Sequence, residues 1–316
     1  MLQFNYSVDI EPVGSSDEPI HIFIPLALNS PQQQVLAEKI TASIPGNIEQ
    51  EDRYGNRFWH GYLPKTNDEA ITFSMEVTVQ RKPAKLRIPD SSGELTAADQ
   101  LALAKYLSAN ERVLVNDPIL DPILAELRAR LQGDNPVANM RSAMARNIYD
   151  WVVDNVEYKK VGSGWGNGDT YWACTERYGN CTDFHALFIS LARSEGIPAR
   201  FEIGFPVPED RVAGNIGGYH CWVQFYLPEK GWFPVDASEA FKNPARREYF
   251  FGAHPADRIH FTTGRDLRLG DAHKSAPLNY FIYPHVEVGG KPYNKDVSKQ
   301  FSFKNLDAGK LAQNKQ

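Results

Sequence analysis

The chain is short of cysteine, of long apolar runs and of positive charge. Its 316 residues hold three cysteines, Cys174, Cys181 and Cys221. That is too few for a disulfide framework, and no C-x-x-C pair suggests a structural zinc or a thioredoxin-type site. No run of about eighteen apolar residues occurs, so no membrane-spanning helix is expected. Lys and Arg number 34 against 39 Asp and Glu, a formal net charge of −5, which removes the attraction most nucleic-acid binders rely on, and no nucleic-acid partner is expected. The opening Met1-Leu2-Gln3-Phe4-Asn5-Tyr6 lacks the basic flank and apolar run of a secretion signal. A start that replaces a removed leader would read the same, so the compartment stays open, periplasmic or exported locations included.

What is there is a globular composition, 42% hydrophobic and 23% charged, long enough at about 150 residues per domain for two domains. From Phe4 to Gln80 the pattern has period two. It is clearest where Ile71, Phe73, Met75, Val77 and Val79 alternate with polar neighbours, the signature of a half-buried strand. With further strand-like runs at Phe4–Ile10, Ile20–Leu28 and Arg57–Leu63, residues 1–90 read as an antiparallel β-sandwich. The stretch Arg81–Gly93 has linker composition. Residues 91–135 read as a helical connector, its second helix opening at Asp117-Pro118 with Ile119, Ile123, Leu124, Leu127 and Leu131 on one side. A third helix is expected at about Pro136–Val156, in a core spanning 136–245. Residues 246–316 read as a C-terminal extension of that core, with a strand at Leu278–Val288 and a frayed end from Asn305 to Gln316. The glycines at 162, 164, 166 and 168 fit neither a dinucleotide nor a P-loop spacing, so they mark a loop and not a phosphate cradle.

The three cysteines lie between positions 174 and 221, beside the richest Gly and Trp content of the chain. After Tyr178-Gly-Asn-Cys-Thr-Asp-Phe-His185, the residues Phe184, Leu187, Phe188, Leu191 and Ala192 follow helical spacing until Gly196 and Pro198 stop it. Asn180 suits the N-cap and sets Cys181 in the first turn, where the positive end of the helix dipole favours thiolate. Asp183 would favour the helix start while slightly opposing that thiolate. Downstream, Ala199–Phe205 and Gly218–Tyr226 alternate as strands. In the second, His220, Trp222 and Gln224 share one face and Cys221, Val223 and Phe225 the other. A turn at Pro228–Lys230 leads to Gly231–Asp236, a hairpin that would bring Asp236 near His220. Helix-borne Cys181, strand-borne His220 and then Asp236 fill the roles of nucleophile, base and orienting carboxylate in order.

The segments Gly179-Asn-Cys-Thr-Asp183, Gly218-Tyr-His-Cys-Trp222 and Gly231-Trp-x-Pro-Val-Asp236 resemble the three signature segments of the bacterial transglutaminase-like superfamily. Gly164–Asp169, Gly196–Arg200 and Asp236–Ala240 are similar to uncharacterised bacterial members, often exported, that carry an N-terminal β domain. The resemblance implies an α+β fold with a papain-like core, in which a helix-borne Cys packs on an antiparallel sheet. It also implies Cys181 as nucleophile, His220 as base and Asp236 as its partner. The expected chemistry is acyl transfer through a thioester, with no cofactor and no metal, on a peptide or protein substrate. The Cys181 backbone N–H is one oxyanion donor. Trp165 and Trp172 are candidates for the second, against a reading of both as loop-packing aromatics.

Several alternatives stay open. A metal could be drawn from Cys181, Asp183 and His185, but no second ligand set completes it, and His185 is expected to pack within the core. His254 and His260, flanking Asp257 and Arg258, read as a solvated surface loop, and Arg246-Arg247 as solvated charge. Cys174 and Cys221 could pair under oxidation, with free buried thiols as the default. A cysteine peptidase or amidase is favoured because water is always available as acceptor. A crosslinking transglutaminase and a non-catalytic binding module are the alternatives.

Overall fold

The computed structural model describes residues 1–88, 93–131 and 140–306. Residues 89–92 of the expected linker, 136–139 of the expected third helix and 307–316 of the expected frayed end lie outside them. The longer elements are, in chain order, β1 (Leu2–Ile10), β2 (Ile20–Pro25), β3 (Gln33–Ala42), β4 (Gly46–Gln50), β5 (Arg57–Leu63), β6 (Ile71–Arg81), α1 (Ala97–Ala102), α2 (Asp121–Leu131), α3 (Met140–Asn155), α4 (Thr170–Thr175), α5 (Cys181–Ser194), β7 (Ala199–Pro206), β8 (His220–Leu227), β9 (Gly231–Val235), α6 (Ala237–Lys242), β10 (Arg258–Thr263), β11 (His285–Val288) and β12 (Val297–Asn305). They form two units. One holds residues 1–82, 203–220 and 256–316, the other 83–202 and 221–255.

In the first unit the period-two pattern becomes two five-stranded antiparallel sheets. One runs from a short strand at 213–215 through β12, β1 and β6 to β3; the other runs from residues 291–292 through β11, β2 and β5 to β4. Register keeps the apolar faces aligned, with Phe4 opposite both Val77 and Phe303, and Tyr6 opposite both Met75 and Phe301. All five alternating apolar residues of β6 are buried. Trp59 of β5 meets Phe73 of β6 with ring centroids 4.9 Å apart, so the sheets share a sandwich-like core. Gly46 and Gly61 leave room for that indole, because a Cβ on either would lie within 2.4 Å of it. Strand β3 escapes the sequence reading because its Gln-Gln-Val-Leu-Ala-Glu-Lys-Ile has no clean alternation. As an edge strand it is mostly exposed, which relaxes the need for one.

The C-terminal residues depart from expectation. Residues 256–316, expected to extend the core, supply β12 to pair with β1 along its whole length and β11 to pair with β2. The expected strand at Leu278–Val288 is shorter, at His285–Val288, with Leu278 bridged to Leu267. The driving force is aromatic burial. Phe301 sits 4.4 Å from Phe205 and 4.7 Å from Tyr6, and Phe205 is 5.1 Å from Phe261. His260 is accordingly buried and not in a solvated loop, with Nε2 near Thr262 O and Thr263 Oγ1.

In the second unit α5 is the central element. Every residue from Cys181 to Arg193 is buried, as a helix covered on several sides requires. α3, α4 and α6 pack on it, and Phe188 meets Phe225 of β8 at 6.4 Å. Arg193 directs its buried guanidinium to Ala199 O, Ser108 O and Asn110 Oδ1, which satisfies the charge. The hairpin of β8 and β9 has the expected turn, with Val223 opposite Val235 and Leu227 opposite Gly231. Its two faces divide as the alternation predicts. Phe225 turns to α5, while Trp222 Nε1 and Gln224 Nε2 both donate to Glu202 on β7, at 2.6 and 3.1 Å. Two surface expectations fail here. Arg247 is held by Asp150 at 2.7 Å and Asp154 at 3.0 Å, and His254 is buried with its ring 5.9 Å from that of Trp222.

Because β12 closes the first unit's core through Phe301, Phe301→Ala should cost about 3–5 kcal/mol. Chemical denaturation would register this; a loss below about 1 kcal/mol would place the C-terminal strand outside the core.

Candidate active site

Cys181 is the first residue of α5 and is 2% exposed. Its position is set by a reciprocal cap. The Asn180 side chain accepts from Thr182 N at 2.8 Å, and the Asp183 carboxylate accepts from Asn180 N at 2.9 Å. The same carboxylate takes Gly166 N at 2.7 Å and Gly168 N at 3.0 Å. One buried side chain thus ties the glycine loop to the helix start. All four glycines of that loop have positive φ, which explains their spacing without any phosphate. Burial pushes the Asp183 carboxyl up, and the three backbone N–H groups pull it the other way.

The loop also settles what the two tryptophans do. Trp165 Nε1 donates to Gly162 O at 3.1 Å and Trp172 Nε1 to Tyr178 O at 3.0 Å. Both indole N–H groups therefore hold carbonyls of this segment, the loop-packing alternative. A Cβ on Gly164 would meet the Trp172 ring at 2.4 Å. Burial pushes the Tyr158 phenol up, with Cys181 and Cys221 adding to the rise.

Asp236 follows the last hairpin pair, Val223 with Val235, and is fully buried. Its Oδ1 caps α6, accepting from Glu239 N at 3.0 Å and Ser238 Oγ at 3.1 Å. His220 opens β8 and is also buried, one peptide bond before Cys221. His220 and Asp236 therefore belong to the same end of the hairpin. In the first unit, the half-buried Asp257 carboxyl is pushed up by burial and drawn down by Arg258 and His220.

Two participants escaped the sequence reading. Cys221 turns to the first turns of α5, where its sulfur lies 3.8 Å from Thr182 Oγ1 and 3.4 Å from His185 Nδ1. His185 is fully buried, with Nε2 3.6 Å from Asp236 Oδ1. The signal was present: His185 stands four residues after Cys181, one turn along the same helix face. None of the cysteines is in a disulfide. Burial pushes the Cys174 thiol up to about 11 and Cys221 well above its ordinary value.

A metal at Cys181, Asp183 and His185 is not favoured, since Asp183 faces the backbone of the glycine loop and His185 faces Cys221 and Asp236. Among the described residues, ligand atoms of His273, His285 and Glu287 in the first unit come within 4.8 Å of one another. Leu269 N donates to His273 Nδ1 at 3.1 Å, which places the proton of a neutral imidazole on Nε2, the atom that would face a metal. His273 Nε2 lies 2.9 Å from Ser275 Oγ and 3.5 Å from Glu287 Oε1. The cluster is a hydrogen-bond network. Burial holds His273 down at about 4, and Glu287, raised by burial, is brought to about 2 by the Lys274, Ser275 and His285 donors.

Residues 129–237 match the model of the transglutaminase-like superfamily. An uncharacterised protein of Haemophilus influenzae is 26% identical over 342 aligned residues, covering 96% of this chain and 90% of its own. A protein-glutamine gamma-glutamyltransferase of Pseudomonas aeruginosa is 35% identical over 65 residues, 19% of this chain and 10% of that one. The crystal structure of a candidate cysteine protease from Cytophaga hutchinsonii shares the fold, with a TM-score of 0.57 at 22% identity over 96% of this chain and 98% of its own. The match places a transglutaminase-like core in residues 129–237. Among the described residues no helix is long and apolar enough to cross a membrane.

The cap leaves no room at the residue before Asn180. A Cβ on Gly179 would lie 2.1 Å from Asp183 Oδ2 and 2.5 Å from its Cγ. Gly179→Ala should therefore displace the carboxylate and destabilise the protein by about 1–3 kcal/mol. Thermal melts would show it; an unchanged midpoint would mean that Asp183 does not hold the helix start.

Proposed function

We propose that the protein is a thiol enzyme of acyl transfer, in which the Cys181 thiolate attacks an amide or ester carbonyl, His220 moves the proton, and Asp236 orients His220. The single observation that carries this reading is the place of Cys181: the first residue of a buried, reciprocally capped helix, within the segment matching the superfamily. There the positive end of the helix dipole favours an anion, first a thiolate and then the oxyanion of the tetrahedral intermediate. The position of His220 and Asp236 at one end of the hairpin supports their pairing. His220 takes the thiol proton, returns it to the leaving group, and activates the acceptor that resolves the thioester. With water as acceptor the protein is a cysteine peptidase or amidase acting on a peptide or protein. An amine as acceptor would make it a crosslinking enzyme, the activity named for the Pseudomonas relative.

The reading is tested with p-nitrophenyl acetate, a minimal acyl donor. Acetylation should fall on Cys181 and spare Cys174 and Cys221, and turnover should vanish in Cys181→Ala. Asp236→Asn should lower turnover by about 10²–10⁴-fold, while Asp257→Asn should leave it within about threefold. Acetylation spread evenly over the three thiols would contradict a nucleophilic Cys181. A larger loss in Asp257→Asn would transfer the orienting role to that carboxylate. Turnover of casein peptides with and without a primary amine then separates hydrolysis from crosslinking by product mass.

A further inference from the structure

The acyl-transfer reading uses one of the two sulfurs that meet at the start of α5. It leaves a buried histidine without a task. Cys221 lies against the first turn of α5, its sulfur beside Thr182, the residue that follows Cys181, and Cys181 is among the groups that push its thiol up. Its own position is over-determined, because Thr182 Oγ1 lies at 3.8 Å and His185 Nδ1 at 3.4 Å. His185 is in turn held between Cys221 and the carboxylate of Asp236, 3.6 Å from its Nε2. A neutral imidazole with its proton on Nε2 faces that carboxylate with a donor and presents the Nδ1 lone pair to the Cys221 thiol. This is a base aimed at a sulfur that no substrate can reach, since Cys221 and His185 are both fully buried. What Cys221 can reach is the other sulfur.

We propose that Cys221 is a resolving thiol for Cys181, deprotonated through His185, so that peroxide oxidation of the nucleophile ends in a reversible Cys181–Cys221 disulfide. The inference rests on the reading of Cys181 as a reactive thiolate. In the first step the Cys181 thiolate attacks a hydroperoxide, the O–O bond breaks, Cys181 becomes a sulfenic acid and the alkoxide or hydroxide leaves with a proton from solvent. In the second, the Cys221 proton passes to His185 Nδ1, the Cys221 sulfur attacks the Cys181 sulfur, and the departing hydroxide takes that proton as water. Sulfur at Cys181 is oxidised and the peroxide oxygen reduced. A low-molecular-weight dithiol reverses the bond by exchange. Closing to the bonded distance of about 2.05 Å draws the helix start and the head of β8 together. Without Cys221 the sulfenic acid has no neighbouring thiol, and further peroxide carries it to the irreversible sulfinic stage. Cys174 has no contact of this kind and serves as the internal control.

The test uses the full chain, hydrogen peroxide as oxidant and dithiothreitol as reductant, with a non-reducing digest read by mass spectrometry. In the parent, the Cys181 and Cys221 peptides should appear joined, and dithiothreitol should restore nearly all of the Cys181 thiol. In Cys221→Ala, and in Cys221→Ser as a second variant should the first fold poorly, recovery should fall about tenfold, with sulfinic acid at Cys181. His185→Gln should slow disulfide formation about tenfold while leaving the first oxidation of Cys181 unchanged. Rapid oxidation of Cys181 in the parent with no joined peptide would overturn the resolving role and leave the nucleophile standing. Oxidation of Cys181 no faster than that of Cys174 in Cys221→Ala would overturn the nucleophile itself.

Discussion

The site depends on the carboxylate of Asp183. Buried at the third position of α5, it accepts the N–H groups of Asn180, Gly166 and Gly168, joining the helix start to the glycine loop. A carboxylate that gathers several backbone donors can stay buried where a lone one could not. Its arrangement fixes where the first turn begins and therefore where the Cys181 sulfur sits. The surrounding glycines follow from it: Gly179 must lack a Cβ to admit the carboxylate, and Gly164 must lack one to admit the Trp172 ring. The Asp183 carboxylate, two residues after Cys181, directs its oxygens to backbone donors of the glycine loop and the helix start.

The remaining geometry builds outward by the same logic of polar groups with more than one duty. Asp236 caps α6 while facing His185. Glu202 receives the indole N–H of Trp222 and the amide of Gln224, which fixes the rotation of β8. With that rotation set, Cys221 and Phe225 turn to α5. The place of the Cys221 thiol against the first turns of α5 is then a consequence of strand alternation.

Much of this was readable in the residues because it is local. The Asn180 cap, the α5 apolar face, the β6 alternation and the Pro228–Lys230 turn all depend on spacing within a few positions. What escaped depends on distant partners. Nothing near Val297–Asn305 says that this strand will lie along β1, since the pairing is chosen by Phe301 and Phe303 finding Tyr6 and Phe4 across the chain. His254 and His260 looked solvated because charged residues separate them, yet one packs by Trp222 and the other between threonines. Cys221 was placed on the correct face, but its neighbours on α5 could be named only once helix and strand were packed. The two tryptophans illustrate the converse: residue type suggested donors, and only the fold showed that both N–H groups are committed to carbonyls.

The central claim, a thiolate at Cys181 sustained by His220, is tested most directly by the pH dependence of iodoacetamide alkylation, site by site, in the parent and in His220→Ala. Cys174, held up at about 11 by burial, and Cys221, also pushed well up by burial, act as slow internal standards. The account predicts that Cys181 alone alkylates rapidly well below the ordinary cysteine pKa of about 8.5, and that this advantage is lost with His220. Alkylation of Cys181 that follows the same pH dependence as the other two cysteines, or that is unaltered in His220→Ala, would contradict it.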